Sequence, residues 1–511
     1  MSESRSFQFS FRVVEGWSGH PGGRRFISGR QHDFCCDPRH WARLFAGKVT
    51  PRLVDLLRIG TAVYVADRIS QRDRRHVNYG GARKLSLDIE VFEDGFWSRA
   101  EVSDCLHSCL EFLTGDMWDV RFEKACDAYS PDLLPFDPCR RPYSGRVVVC
   151  LYSGGLDSAA GLVKRIRENA DDAKIVPVLV RHQSGQGPLV KRQIGLINFV
   201  LGSDLEALIL PFWMRKPAHY GAEEDSQRSR SFLFCCGAAV AAVMTEAQRI
   251  EMFECGIGAI NVPLMAGMVG WRTTRSSHPT FLRKLSRLLR FATERNINPA
   301  RPRCARPQPK TPFLSLIVTT ATTGGYIDLR RIFVKNLTMF EVSSIDLPYQ
   351  YMTKGELVSS LCGTSLSSLL PETASCVHYP LRAERAKECG VCPACIFKRQ
   401  AVFASGIDEP GGRYKYDLLG KASSKIPDEK LEYVKAFLIQ VDKLSQLDYS
   451  DVLPDFVVQH LRATEVITDN RIPTELIDLY RRYRREWLDL LVYGFRQGWE
   501  WCRMMVPAIA G

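Results

Sequence analysis

Nowhere in the 511 residues does a glycine-lysine pair run into serine or threonine, which removes the loop that most enzymes transferring a terminal phosphate rely on. No apolar run approaches the roughly 18 residues of a membrane span. The opening Met-Ser-Glu-Ser-Arg-Ser-Phe-Gln lacks the charged-then-apolar layout of an export signal. A soluble, cytoplasmic protein without a membrane partner is expected. There is no internal repeat. The seventeen cysteines are odd in number and scattered, so reduced thiols are expected rather than a disulfide framework. Acidic residues are the minority, 57 against 69 Lys and Arg, leaving a net charge of +12.

With 45% hydrophobic residues, a sizeable core is available, and the length suggests about three domains. The most informative stretch is 146–161, Arg-Val-Val-Val-Cys-Leu-Tyr-Ser-Gly-Gly-Leu-Asp-Ser-Ala-Ala-Gly. An apolar strand, Val147 to Leu151, runs into two glycines and then a small-residue helix start. Gly154 and Gly155 permit a tight turn, and the amides of a helix opening near Asp157 and Ser158 lack intrahelical partners. Free donors and the helix dipole both favour an anion there. Ser153 and Ser158 add hydroxyls, and Asp157 is either a helix cap or a group orienting magnesium on phosphates.

Downstream, strand and helix patterns alternate. Gly161–Asn169, Leu189–Leu201 and Ser231–Glu246 read as helices; Lys174–Val180, Leu205–Pro211 and Ile250–Ile260 read as strands. This predicts an α/β fold with a doubly wound parallel sheet, whose ligands bind beyond the carboxyl ends of its strands. Arg181, His182, Gln183 and the turn Gly256-Ile257-Gly258 are candidates to line that crevice.

Cys376, Cys389, Cys392 and Cys395 combine a lone upstream thiol with two interlocked Cys-x-x-Cys steps around Gly390. Four thiolates fill a zinc tetrahedron and leave no open position, so a structural site is expected. His378 as one ligand, and a redox pair instead of a metal site, are the alternatives. Residues 271–312 hold eleven Lys or Arg against Glu294 alone. Phe281–Ala292 there reads as an amphipathic helix and 299–312 as an extended Pro-rich loop. This basic insertion suits RNA, an acidic protein, or solvent alone.

In the amino-terminal part, Phe7–Val14, Thr61–Ala66 and Leu85–Phe92 are strand-like, and Pro51–Ile59 and Arg99–Thr114 helical. The expected organisation is an accessory α+β domain (1–144), an α/β domain with the basic insertion and the zinc knuckle of 376–395 (145–405), and a helical carboxyl-terminal region (406–511). In that last region Trp487, Tyr493, Phe495, Trp499 and Trp501 are expected to form a packed bundle face.

Ser-Gly-Gly-Leu-Asp-Ser resembles the signature of the PP-loop ATP pyrophosphatases, which split ATP between its α and β phosphates. Ser153–Ser158, His182-Gln-Ser-Gly-Gln-Gly with Lys191, Ser229-Arg-Ser-Phe-Leu-Phe, Gly256-Ile-Gly-Ala-Ile-Asn, Met352-Thr-Lys-Gly-Glu and the four cysteines follow in order. Together they resemble the 7-cyano-7-deazaguanine synthases, the QueC family. The resemblance implies an ATP-dependent, AMP-forming ligase that adenylates a 7-carboxy-7-deazaguanine-type carboxylate and passes it to an amine.

By position, Ser153, Gly154, Gly155, Leu156, Asp157 and Ser158 would hold the pyrophosphate, with magnesium. Arg181, Lys191 and Arg230 would be further nucleotide contacts, and the four cysteines would bind zinc. Ser153, Asp157 and Lys354 would be catalytic. Thr353-Lys354-Gly355-Glu356 also reads as a helix capping box. Ordinary members are about half this length and carry Tyr-Pro-Asp where this chain reads Asn261-Val-Pro-Leu-Met-Ala-Gly.

The added regions make the chain more similar to enlarged QueC-like proteins of bacterial anti-phage systems, the Qat type and those of type IV CBASS. This implies a protein amine from the same system as acceptor. Ammonia as acceptor in queuosine biosynthesis, a tRNA-modifying PP-loop enzyme, and a non-catalytic nucleotide-binding subunit are the other readings.

Overall fold

The computed structural model describes residues 6–14, 25–28, 32–35, 50–72, 82–125, 145–169, 172–182, 185–215, 224, 226, 228–247, 249–265, 268, 274–293, 344–363, 365–373, 375–377, 387–409, 411–420, 426–468 and 471–505. Gln183, Arg272, His378 and the Pro-rich stretch 299–312 lie outside them.

The amino-terminal part supplies β1 (Ser6–Val14), β2 (Arg25–Ser28), β3 (His32–Cys35), α1 (Pro51–Ile69), β4 (Lys84–Val91), α2 (Asp94–Trp97), α3 (Ala100–Thr114) and β5 (Met117–Lys124). Then follow β6 (Val147–Leu151), α4 (Leu156–Arg167), β7 (Lys174–Arg181), α5 (Gln186–Leu201), β8 (Leu208–Pro211), β9 (Trp213–Arg215), α6 (Arg230–Met244), β10 (Arg249–Met252), α7 (Gly256–Ile260), α8 (Pro279–Thr293) and β11 (Ser344–Asp346). The rest is helical: α9 (Lys354–Val358), α10 (Pro393–Ser405), α11 (Glu432–Lys443), α12 (Asp455–Ala463) and α13 (Thr474–Arg496), with short 3-10 turns between them.

β6, β7, β8, β10 and β11 form a sheet in the order β11-β10-β6-β7-β8, parallel at every pairing. Helices cover both faces. Val147, Val149, Leu151, Val176, Val178 and Val180 join one buried cluster with α6 and α8. The alternate residues Cys150, Tyr152, Ile175 and Leu179 join another with α4, α5, α9 and α10. Alternation with a period of two, buried on both sides, is why these strands read as continuous apolar runs. Strand order reverses between β6 and β10, so the crevice beyond their carboxyl ends is where this architecture takes ligands.

The other sheet is mixed, in the order β5-β4-β1-β2-β3-β9. Its last strand comes from beyond β8: β9 pairs antiparallel with β3, Cys35 opposite Trp213. One buried cluster runs without a break from α1, β4 and α3 into α6, α8 and the parallel sheet.

Two strand expectations are corrected. Thr61–Ala66 lies inside the 19-residue helix α1, which Thr50 caps by accepting from the Leu53 amide (3.4 Å) and which Pro51 opens. The stretch Ile250–Ile260 is strand only to Met252, after which Cys255 caps the short helix α7.

Charges are buried where α1, the starts of β4 and β5, and the start of α6 come together. Arg83 lies 2.6 Å from both Asp67 and Asp116, and Arg72 lies 2.6 Å from Asp116. Asp67 also accepts from the Ser229 amide (2.9 Å) and hydroxyl (2.7 Å), tying α1 to the start of α6. Burial alone would raise the Asp67 carboxyl, but Arg83 and Arg72 outweigh it and hold the pKa at about 2.

At the carboxyl end, Trp487 stacks on Phe437 (5.3 Å) and Trp499 on Trp501 (5.8 Å), all three tryptophans buried. Tyr493 is half-exposed yet joins this face, its ring 5.7 Å from Trp499 and 5.2 Å from Phe403, whereas Phe495 is largely exposed. In the basic region, α8 buries Phe281, Leu285, Leu288, Leu289 and Ala292 and leaves Arg283, Arg287 and Arg290 exposed. Lys284 is tied to Ser108 Oγ (3.1 Å) and to Glu465 (3.2 Å). No helix among the described residues is long and apolar enough to cross a membrane.

Candidate active site and candidate metal centre

β6 delivers its chain to the strand-order reversal and turns at Gly154, whose φ of +79° favours glycine. A Cβ there would sit 3.3 Å from both Gln193 Oε1 and Leu189 Cδ2. Gln193, reaching in from α5, accepts from the Tyr152 hydroxyl (2.9 Å) and donates to the Gly154 carbonyl (3.1 Å). The turn is therefore braced from behind by α5, with Ser153 exposed to solvent.

Gly155 stands at the cap position of α4, and no side chain caps it. The first-turn amides of a 12-residue helix are left to whatever enters the turn. Ser153 and Ser158 line it, their hydroxyls 3.0 Å apart, with Ser153 Oγ accepting from the Gly155 amide at 3.3 Å. Leu156 points the other way, into the core, so only its backbone belongs to the turn.

Lys354 opens α9 from across the crevice. The capping box is real: Thr353 Oγ1 accepts from the Glu356 amide (3.1 Å) and the Glu356 carboxylate from the Thr353 amide (2.9 Å). The same lysine is buried and its Nζ donates to Asp157 Oδ2, so the capping box and a contact with the turn after β6 coexist in this segment. Phe397 lies 4.8 Å from the ammonium.

Two groups not singled out in the sequence complete the arrangement. Glu254 and Cys255, just beyond β10, bring their donor atoms within 4.8 Å of the Asp157 carboxylate. Burial first, and then the negative charge of Asp157, push the Glu254 carboxyl up to about 8, with Lys354 opposing. Burial works against the charge of Lys354, but Asp157 and then Glu254 outweigh it and hold the ammonium above its ordinary pKa. Two carboxylates and one ammonium leave an acidic excess that a proton or a cation satisfies. The signal for Glu254 was available: a carboxylate directly after a buried parallel strand sits where such sheets bind ligands.

The other sequence candidates are placed one strand away or outside the crevice. Arg181 ends β7 half-buried, and a Cβ on Gly187 would lie 3.3 Å from its Cδ. His182 follows it, 5.3 Å from the Phe234 ring. Burial and then the charge of Arg230 push its imidazole down to about 3. Arg230 stands at the start of α6, 5.8 Å from the same ring. Lys191 is exposed; it precedes Gln193 by two residues, about 200° around the helix from the face that braces Gly154.

The four cysteines converge on one point, their Sγ atoms all within 4.8 Å of one another and Cys389 to Cys395 at 3.9 Å. A metal–sulfur length of about 2.3 Å implies tetrahedral sulfur–sulfur edges of about 3.8 Å, so the set fits zinc. The Cys389 amide donates to Cys376 Sγ (3.5 Å) and the Cys392 amide to Cys389 Sγ (3.3 Å). Gly390, at φ +83°, is required for close approach: a Cβ would lie 2.1 Å from the Tyr416 carbonyl oxygen. Glu388 anchors the lone upstream ligand, accepting from the Ser375 (2.7 Å) and Cys376 (3.1 Å) amides while Lys398 (3.0 Å) and Arg413 (2.7 Å) neutralise it. Four sulfur donors leave no coordination position for substrate.

What the residues define is thus an α/β protein with an anion-ready turn at the reversal of strand order and a separate four-cysteine cluster able to hold zinc. Comparison with protein-family models, with curated proteins and with solved structures finds no match to this chain.

Proposed function

We propose that this protein is a QueC-like, AMP-forming ligase that activates a 7-carboxy-7-deazaguanine-type carboxylate with ATP and transfers it to an amine, supplied by a protein partner of an anti-phage system. The observation that carries the reading is the uncapped turn of Ser153–Ser158 facing Lys354, at the strand-order reversal.

In this reading a carboxylate oxygen of the substrate attacks the α-phosphorus, the bond to the bridging oxygen breaks, and pyrophosphate leaves with the electron pair. The amine then attacks the activated carbonyl, loses a proton, and AMP departs. The amides of the turn, the Ser153 and Ser158 hydroxyls and Lys354 offset charge on the leaving pyrophosphate, and donors of this kind commonly contribute a few kcal/mol each. Gln193 keeps the turn in shape. Asp157 and Glu254 have the oxygen donors that magnesium prefers, and the ion would neutralise phosphate charge there. Zinc on the four cysteines would hold the knuckle ahead of α10, whose Phe397 packs beside Lys354.

The test is release of pyrophosphate from ATP on adding 7-carboxy-7-deazaguanine, with and without ammonia, candidate partner proteins or RNA. Intact mass of each partner follows the transfer. A partner gaining the deazaguanine acyl mass supports the reading. Turnover that needs RNA, or none with any acid, overturns it.

A further inference from the structure

The carboxyl-terminal helix reaches the candidate active site. Arg482, on α13, pairs with Glu356 (2.7 Å) and donates to the Tyr351 carbonyl (2.6 Å). One turn on, Glu486 turns a largely buried carboxylate onto the segment that opens α9. Its Oε1 accepts from the Thr353 hydroxyl, and its Oε2 accepts from Gln400 Nε2 on α10 at 3.0 Å. Packing is tight around it. A Cβ on Gly355 would lie 2.7 Å from Glu486 Oε1 and 2.8 Å from Ala404 Cβ.

Thr353 Oγ1 is thereby held from two sides, accepting from the Glu356 amide and donating to Glu486. The next residue is Lys354, whose direction across the crevice depends on where the capping box sits.

We infer that Glu486 is a positioning residue for Lys354: by clamping Thr353 and Gln400 it fixes the start of α9, making the carboxyl-terminal helical region part of the active-site frame. The inference rests on the proposed reading for its effect on turnover, but not for its effect on Lys354. What the clamp needs is two acceptor or donor sites at the reach of a glutamyl side chain. Gln400 Oε1 is buried without a hydrogen-bond partner. A glutamine at 486 would accept from Thr353 through its oxygen and donate to Gln400 once that amide flips.

The test compares full-length Glu486→Gln, Glu486→Asp and wild type. Asp keeps the charge but is one methylene too short to meet both partners; Gln loses the charge but keeps the shape. The first readout is acetylation of Lys354 by an amine-reactive ester, followed by mass spectrometry. It is expected to be about tenfold faster in Glu486→Asp and near the wild-type rate in Glu486→Gln, the scale of a lost buried hydrogen bond. The second is pyrophosphate release, with kcat lowered in Glu486→Asp, KM for ATP little changed and Glu486→Gln rescued. Equal labelling of Lys354 in all three, with only thermal midpoints altered, overturns the inference, as does a Gln variant as impaired as Asp. If wild type releases no pyrophosphate, the functional reading fails while the labelling order still decides the positioning role.

Discussion

The ammonium of Lys354 meets the carboxylate of Asp157 across 197 positions of chain, joining the start of one helix to the start of another over the reversal of strand order. The contact is mostly out of water, the lysine side chain 8% and the aspartate 16% exposed. Removing one partner of such a pair strands the other's charge, which commonly costs several kcal/mol, whereas exposed pairs contribute little. Replacement Lys354→Met is expected to lower pyrophosphate release about a hundredfold or more. Asp157→Asn is expected to behave similarly, and the double variant to lose less than the product of the two. A double-mutant cycle on turnover and urea midpoints measures this; strict additivity would show that the pair does not act as a unit.

Glu254 sets a pH dependence. Its folded pKa, raised to about 8 from an ordinary 4.5, means that the folded chain binds a proton more tightly than the unfolded chain. Its contribution to stability is complete below about pH 4.5 and is lost as pH rises through about 8. Glu254→Gln is expected to flatten this part of the stability profile and to be relatively more stable at pH 9 than at pH 5. Urea midpoints of both proteins across that range check it; parallel profiles would contradict it.

The purified chain is expected to carry zinc on Cys376, Cys389, Cys392 and Cys395. Stripping the ion with a strong chelator should lower the thermal midpoint, because metal binding to such clusters is coupled to folding. Cys392→Ser should lose the metal and the same stability, whereas Cys362→Ser, outside the cluster, should keep both. Elemental analysis and calorimetry read the two effects. A metal-free protein as stable as the loaded one would refute the structural role.

Arg83 bridges Asp67 and Asp116 with no side-chain exposure on any of the three. Arg83→Met is expected to destabilise by about 3–5 kcal/mol, the usual result of orphaning a buried charge. The loss should exceed that of Arg121→Met, whose side chain is 59% exposed beside Asp88. Denaturant unfolding of the two variants gives the comparison.

The strands of the parallel sheet and the turn after β6 were legible because burial on both faces leaves unbroken apolar runs and because two glycines follow them. Thr61–Ala66 misled for the same reason. α1 is buried over nearly its whole circumference, from Arg52 to Asp67, and between Thr61 and Ala66 no charged residue marks the helical spacing. The four cysteines declared themselves by spacing alone. Lys191 did not enter the crevice because helical phase, invisible in a motif match, turns Gln193 inward and the lysine out. Glu486 could not be found: its partners Thr353 and Gln400 lie 133 and 86 positions away, and nothing local marks a carboxylate on an amphipathic helix as anything but solvated.

The crossing of β9 into the neighbouring sheet has a practical consequence. A fragment starting near residue 145 would retain the turn and the cysteines yet lose the strand against which β9 pairs, and would bare the flank of α6 that α1 shields. Trimming the chain to the part that holds the turn and the cysteines would therefore uncover apolar surface and an unpaired strand edge, and point substitution leaves both covered.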